Sequence, residues 1–250
     1  MSLKDALTGR IRRGLHSLVH RCWEQIQRHG EITPATPGRR RFAYLGEGAC
    51  IGFPSGALYG EPWISIGDHT LIGTHVTISA GFVPGLDLGP DVIVTIGRSC
   101  SIGRGTHIVG HQSISIGDDV FTGPNVYITD QNHSYGDIHM PIGRQWPENQ
   151  PVVIGDGCWI GTQAIVLPGT RLGKNVAVAG GAVVRGEFPD NCVIAGVPAK
   201  VVRSYDPEEG WQPPLRGRPP LVSLDELARL SVSGLEGLQI LQDKMREQAG

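Results

Sequence analysis

Along the middle of the chain an aliphatic residue is followed by Gly and, four places after the aliphatic, by a small residue. Ile66-Gly67 with Thr70 and Ile72-Gly73 with Val76 set this beat of six. It returns at Ile96-Gly97 with Cys100, Ile102-Gly103 with Thr106, Ile116-Gly117 with Val120, Ile154-Gly155 with Cys158 and Ile160-Gly161 with Ala164. Val166 with Thr170, Leu172-Gly173 with Val176 and Val178 with Ala182 carry it on. Six residues hold one short strand and one tight turn, so each hexad makes one side of a coil, and three sides bring the chain back to the wall where it began. The period therefore predicts a mainly β, triangular parallel β-helix over residues 44–203. Its aliphatic side chains point inward and stack with those eighteen places on. The Gly after each aliphatic predicts a bend with positive φ, and the small slot predicts a corner with little room.

The beat breaks twice. Between Ile78 and Ile96 the stretch Gly81–Pro90 loses the motif but keeps the phase, which predicts a distorted coil. Between Ile128 and Ile154 the phase is lost, and the polar stretch from Asp130 to Pro151, with its loop at 134–150, cannot be a wall of the rod. A long irregular segment inside a compact repeat is usually functional.

Outside the rod, residues 1–43 carry Leu3, Leu7, Ile11, Leu15, Leu18 and Ile26 at helical spacing among Lys4, Arg10, Arg12, Arg13, Arg21 and Arg28. This predicts an N-terminal amphipathic helix that caps the open end of the rod or packs on a neighbouring subunit; contact with an anionic membrane surface is the alternative. Residues 204–250 read as a Pro-rich linker and then a C-terminal helix, opened by the capping box Ser223-Leu-Asp-Glu226 and striped by Leu227, Leu230, Leu235, Leu238, Leu241 and Met245.

Composition fits a solenoid: 36 Gly and 6% aromatic residues leave little for one bulky core. A net charge of −2 gives no electrostatic footprint for nucleic acid. The five cysteines form no CxxC pair, and Cys100 and Cys158 occupy the small slot, which reads as reduced core packing in a cytoplasmic chain. No apolar run suits a membrane span or a signal peptide.

The repeat is similar to that of the hexapeptide-repeat acyltransferases, whose fold is a left-handed parallel β-helix. The handedness comes from this resemblance, since the usual crossover preference is right-handed. The segment Ile116 to His133 resembles the one that ends in the catalytic His of galactoside and maltose O-acetyltransferases. The resemblance implies acetyl-CoA as cosubstrate, no metal, a hydroxyl of a sugar, glycan or glycolipid as acceptor, and a homotrimer with active sites at subunit interfaces. It makes His133 the general base of a direct transfer, with imidazole suited to the task near neutral pH. Asp130 or a backbone carbonyl would orient the ring. Trp159, Thr162 and Gly180 correspond to the pantetheine and adenine contacts, Lys200 and Arg203 to phosphate contacts, and Arg185-Gly186 replaces a Thr-Lys pair near the cofactor's distal end. Gly103 and His111 stand where sugar transferases of this kind carry Asn and Asp. Asn132, Tyr135, Asp137, His139 and His111 are thus the candidates for holding the acceptor.

Two alternatives use the same rod. A γ-type carbonic anhydrase-like zinc protein would draw ligands from His107, His111, His133 and His139, although His107 and His111 lie four apart around a corner. An inactive trimeric scaffold would need no chemistry at all.

Overall fold

The computed structural model describes residues 3–82 and 91–215. The chain divides into two compact units, Met1–Tyr205 and Asp206–Gly250.

In the first unit the hexads build three parallel walls. The first runs Tyr44–Leu45, Ile64–Ile66, Val94–Ile96, Ile114–Ile116, Val152–Ile154, Arg171–Leu172 and Glu187–Phe188. The second runs Cys50–Ile51, Leu71–Ile72, Ser101–Ile102, Phe121–Thr122, Trp159–Ile160, Ala177–Val178 and Cys192–Gly196. The third runs Leu58–Tyr59, Thr77–Ala80, His107–Gly110, Tyr127–Thr129, Ile165–Val166 and Val183–Val184. Chain order cycles through first, second and third wall, so the rod is the triangular β-helix that the period predicts. Ala199–Asp206 turns back antiparallel on Cys192–Gly196 and extends the second wall.

The aliphatic of each hexad is buried, from Ile66 and Ile96 to Ile154 and Ile160, and so is the small slot from Thr70 to Ala182. Burying each such Ile stabilises by about 1.5–3 kcal/mol, and the ladder they form is the whole core. Polar members of the small slot donate to a corner of the next coil. Thr70 Oγ1 gives a 2.7 Å bond to the Gly97 carbonyl, and Cys100 and Cys158 direct Sγ to the carbonyls of Gly117 and Gly173, each at 3.1 Å. Burial pushes the Cys158 thiol up to about 11, so these sulfurs serve packing rather than reaction.

The glycines do a different job from the one their motif suggests. Gly67, Gly97, Gly117 and Gly155 are absent from the positive-φ positions, which fall two residues later at His69 (φ 56), Ser99 (φ 55), Asp119 (φ 56) and Gly157 (φ 66). What excludes a side chain at the motif glycine is the coil above. A Cβ on Gly67 would stand 2.6 Å from the Gly97 carbonyl carbon, and one on Gly161 would stand 2.5 Å from the Gly180 nitrogen. Between those two positions sits Asp in many coils, and its Oδ1 accepts a backbone N–H from the coil below. The series is Glu47 to Asp68 (2.9 Å), Arg98 to Asp118 (2.8 Å), Asp118 to Asp156 (3.1 Å) and Lys174 to Asp190 (2.7 Å).

The eighteen-residue spacing holds for Val153 with Arg171 and Trp159 with Ala177, but Thr77 pairs with His107 and Tyr127 with Ile165. Thr77–Ala80 lies directly beneath His107–Gly110, and residues 83–90 of the stretch expected to form a distorted coil lie outside the described residues. After Ala80 the chain leaves the third wall at its corner with the first. The segment after Thr129 leaves from the same corner.

The N-terminal helix α1 spans Leu3–Gly30. Leu15, Leu18, Val19, Trp23 and Ile26 are 48–63% exposed, so this part of the stripe does not lie across the rod. The chain after it does the capping. Ile32 bridges to Ile51, and Phe42 is buried in the core. In the second unit, Asp206 accepts the N–H groups of Glu208 and Glu209 in a turn, followed by the short strand Gly210–Gln212. The predicted C-terminal helix lies outside the described residues.

Candidate active site

The two longest links between strands, after Ala80 and after Thr129, both leave at the corner between the third and first walls. Asp130 opens the longer of them. It is fully buried, and its carboxylate accepts N–H from His111 (2.8 Å), Gln112 (2.7 Å) and Ser113 (2.6 Å). These three charge-assisted bonds anchor the turn of the coil below. The structure therefore gives Asp130 a task other than orienting His133.

His133 lies exposed where the segment departs. The partner of its ring is Gln131, whose Nε2 is 3.3 Å from the imidazole Nε2, while its own N–H donates to Asn132 Oδ1 at 3.1 Å. The amide nitrogen faces the ring here; with the amide turned over, its oxygen accepts from the ring Nε2–H and the lone pair sits on Nδ1, the orientation in which the ring can serve as a base. The sequence reading missed Gln131. Its only signal was its place two residues before the His.

The excursion is less irregular than its composition suggests. Gln131–Asn132 pairs antiparallel with Glu148–Asn149, and Gln150 N–H donates to the Asp130 carbonyl at 2.8 Å, which closes the base. Within it, Asp137 accepts the His139 N–H at 2.8 Å, and the Gln145 amide donates to the carbonyls of Asp137 and Met140. Asp137 thus shapes the loop. Tyr135 is 74% exposed, and His139 is exposed as well. At its base a cavity of about 110 Å³ is lined by Gln131, Asn132, Glu148, Gln150, Pro168 and Arg185. Two residues expected to serve different molecules, Asn132 for the acceptor and Arg185 for the cofactor, share this cleft.

His111 sits at the same corner one coil below, its ring centroid 4.1 Å from that of Phe82. Phe82 in turn stacks on Trp146 from the loop at 5.5 Å and 26°. Burial is the main cause holding the His111 pKa below the usual imidazole range, against the opposing charge of Asp130, and its Nδ1 is buried without a partner. His107 points outward from the third wall beside Tyr127, 6.4 Å between rings. Among the described residues no group of three or more His, Cys, Asp or Glu is placed to hold a metal ion.

The expected cofactor residues lie elsewhere. Trp159, 48% exposed, stands on the outer face of the second wall, in register with Ala177, which is in register with Val193, which faces Arg203. Three strand spacings make this shelf roughly 14 Å long. Its middle rungs are the short side chains of Ala177 and Val193, so an extended chain has room to lie between an indole and a guanidinium. Arg203 is partly buried, and Lys200 is exposed opposite Ala195 on the same return strand. Thr162 and Gly180 meet at the corner between the second and third walls, where Gly181 N–H donates to the Thr162 carbonyl at 2.8 Å. Gly103, at that corner two coils below, packs against Gly123. In a triangular prism the corner that carries His133 lies opposite the second wall, so one chain does not bring the shelf and the imidazole together.

Residues 151–186 match the bacterial transferase hexapeptide family (six repeats), and residues 93–130 match the hexapeptide repeat of succinyl-transferase. The chain is 33% identical over 144 residues to a putative lipopolysaccharide biosynthesis O-acetyl transferase of Escherichia coli, covering 53% of this chain and 74% of that protein. It is 36% identical to a probable acetyltransferase of Mycobacterium tuberculosis, covering 57% of this chain and 42% of the other. To the galactoside O-acetyltransferase of Escherichia coli it is 31% identical, over 47% of this chain and 60% of that protein. The chain thus spans less than two thirds of the length of the last two. Among solved structures, a variant of the N-acyltransferase AntD from Bacillus cereus, in complex with dTDP and coenzyme A, superposes with a TM-score of 0.58 at 17% identity. The match covers 71% of this chain and 92% of that one, and it carries the fold alone.

Proposed function

The chain belongs to the hexapeptide-repeat acyltransferases, and on that premise we propose that it is an acetyl-CoA-dependent O-acetyltransferase acting on a hydroxyl of a sugar, glycan or glycolipid. The observation that carries this reading is His133 itself: an exposed imidazole, its ring held by Gln131, at the corner from which the rod's two longest links leave. Relatives named as O-acetyl transferases support hydroxyl as the acceptor group. Acetyl-CoA supplies an activated thioester when bound. The shelf from Trp159 to Arg203 is where its thiol arm and phosphates fit, with Lys200 alongside.

His133 takes the proton from the acceptor hydroxyl, whose oxygen bonds to the acetyl carbon as the carbon–sulfur bond breaks. A backbone N–H steadies the transient oxyanion, and His133 then delivers its proton to the leaving sulfur. No enzyme nucleophile is consumed, which agrees with the burial of Cys100, Cys158 and Cys192 in the packing of the rod.

The site is completed by a neighbour in a homotrimer. Outward residues of the first wall are largely polar, Ser65, Thr95, Ser115, Arg171 and Glu187 among them. The second wall exposes Leu71, Phe121 and Trp159, and the third exposes Tyr127 and Ile165. A cyclic arrangement that sets the second wall of one chain against the third-wall side of the next covers both apolar faces and leaves the polar wall in water. It also brings a cofactor shelf to the His133 corner of the adjacent chain. The five unpaired cysteines support a reducing, cytoplasmic setting. Among the described residues, no helix is long and apolar enough to cross a membrane.

His133→Ala should lower turnover by roughly 10²–10⁴-fold, the span of a lost general base, while isothermal titration still detects acetyl-CoA binding. Wild-type turnover in that variant removes the assignment.

A further inference from the structure

Three successive coils bring aromatic rings to one corner. Phe82 follows Thr77–Ala80, His111 lies at the end of His107–Gly110, and Trp146 belongs to the excursion that leaves after Tyr127–Thr129. The Phe82 ring is the middle member, 4.1 Å from His111 and 5.5 Å from Trp146, and the indole is 26° from parallel with it. The inner end of the stack is fixed by Asp130, which holds the His111 backbone at 2.8 Å and stands three residues before His133. The outer end is open: Trp146 is 80% exposed. An indole held in a stack has given up rotamer freedom without removing its own surface from water, a cost that a flat partner laid against it would offset.

Pyranose rings present such a partner, since their axial C–H groups form an apolar face while the hydroxyls project from the rim. Resting on the transferase reading above, we infer that Trp146, backed by Phe82, is the platform on which the acceptor's sugar ring lies, so that a rim hydroxyl meets His133. Trp146 is then a specificity determinant that selects a carbohydrate ring over an acyclic alcohol. The platform belongs to the same chain as His133. This separates it from the cofactor shelf on the opposite wall.

The test follows thiol release from acetyl-CoA with and without methyl β-D-galactopyranoside, methyl α-D-glucopyranoside or methyl α-D-mannopyranoside, with glycerol as the acyclic control. At least one hexoside should raise the rate above that of acetyl-CoA with water alone. Trp146→Ala should raise the KM for that hexoside about tenfold with a smaller change in kcat, and Trp146→Phe, which keeps a ring in the stack, should retain most of the affinity. Light scattering of each variant shows whether the assembly is intact. An unchanged KM in Trp146→Ala overturns the platform, as does a change of oligomeric state, which would make Trp146 an interface residue. If no hexoside stimulates, yet basal thiol release still depends on His133, the sugar platform fails and the transferase reading stands. Thiol release indifferent to His133 would sink the transferase reading instead.

Discussion

At the scale of single residues, the hexad is a set of close approaches. Gly comes after the aliphatic because the next coil's backbone occupies the space of a Cβ, and the turn itself is made two residues later by His, Ser, Asp, Asn, Gln or Gly in the left-handed region. The Asp between them ties one coil to the next. At Asp118, the Arg98 side chain and then the Arg98 N–H hold the carboxyl below the usual carboxylate range. A depressed carboxyl contributes stability at pH values above its unfolded pKa of about 3.9, and that contribution is lost as pH falls through the lower folded value. Asp118→Ala should therefore unfold at lower urea than wild type at pH 7, with the gap closing once the pH drops below the carboxylate range. A gap that persists in acid would assign the loss to packing rather than to the ionised carboxylate.

At the scale of elements, the functional segment is an insertion that leaves the walls in register. Tyr127 still pairs with Ile165 across it, because its base is closed by the short ladder of Gln131–Asn132 with Glu148–Asn149. Asp130 joins this insertion to the turn at His111, Gln112 and Ser113. Removing its carboxylate leaves three N–H groups without acceptors in a partly buried place, so Asp130→Ala should cost about 2–4 kcal/mol in thermal or urea unfolding. Activity lost at unchanged stability would instead assign Asp130 to the imidazole. The polar loop was legible in the sequence because the beat stops there, while His133 was singled out by a resemblance rather than by the period. Gln131 as ring partner and the stack of Phe82, His111 and Trp146 were not legible, since they join residues that are distant in the chain and share no period.

At the scale of the whole molecule, the distribution of side chains over the three walls decides how copies meet. Ile165 is 37% exposed on the third wall, while Thr95 faces outward from the polar first wall. On the trimer proposed above, Ile165→Asp should reduce the assembly to single chains in light scattering and abolish transfer, whereas Thr95→Asp should keep the mass of three chains. A trimeric Ile165→Asp would place the interface elsewhere.

The six-residue period determined by itself that the chain winds as a three-walled solenoid and that the winding is interrupted between Ile128 and Ile154, because periodicity is a local property that survives in one dimension. The tertiary structure decided why each motif glycine is there, that the two longest links leave the rod at one corner, and that the face from Trp159 to Arg203 and the His133 imidazole point opposite ways. Those facts depend on which coils lie above one another, and insertions of unequal length hide that stacking until the backbone hydrogen bonds between coils set the register.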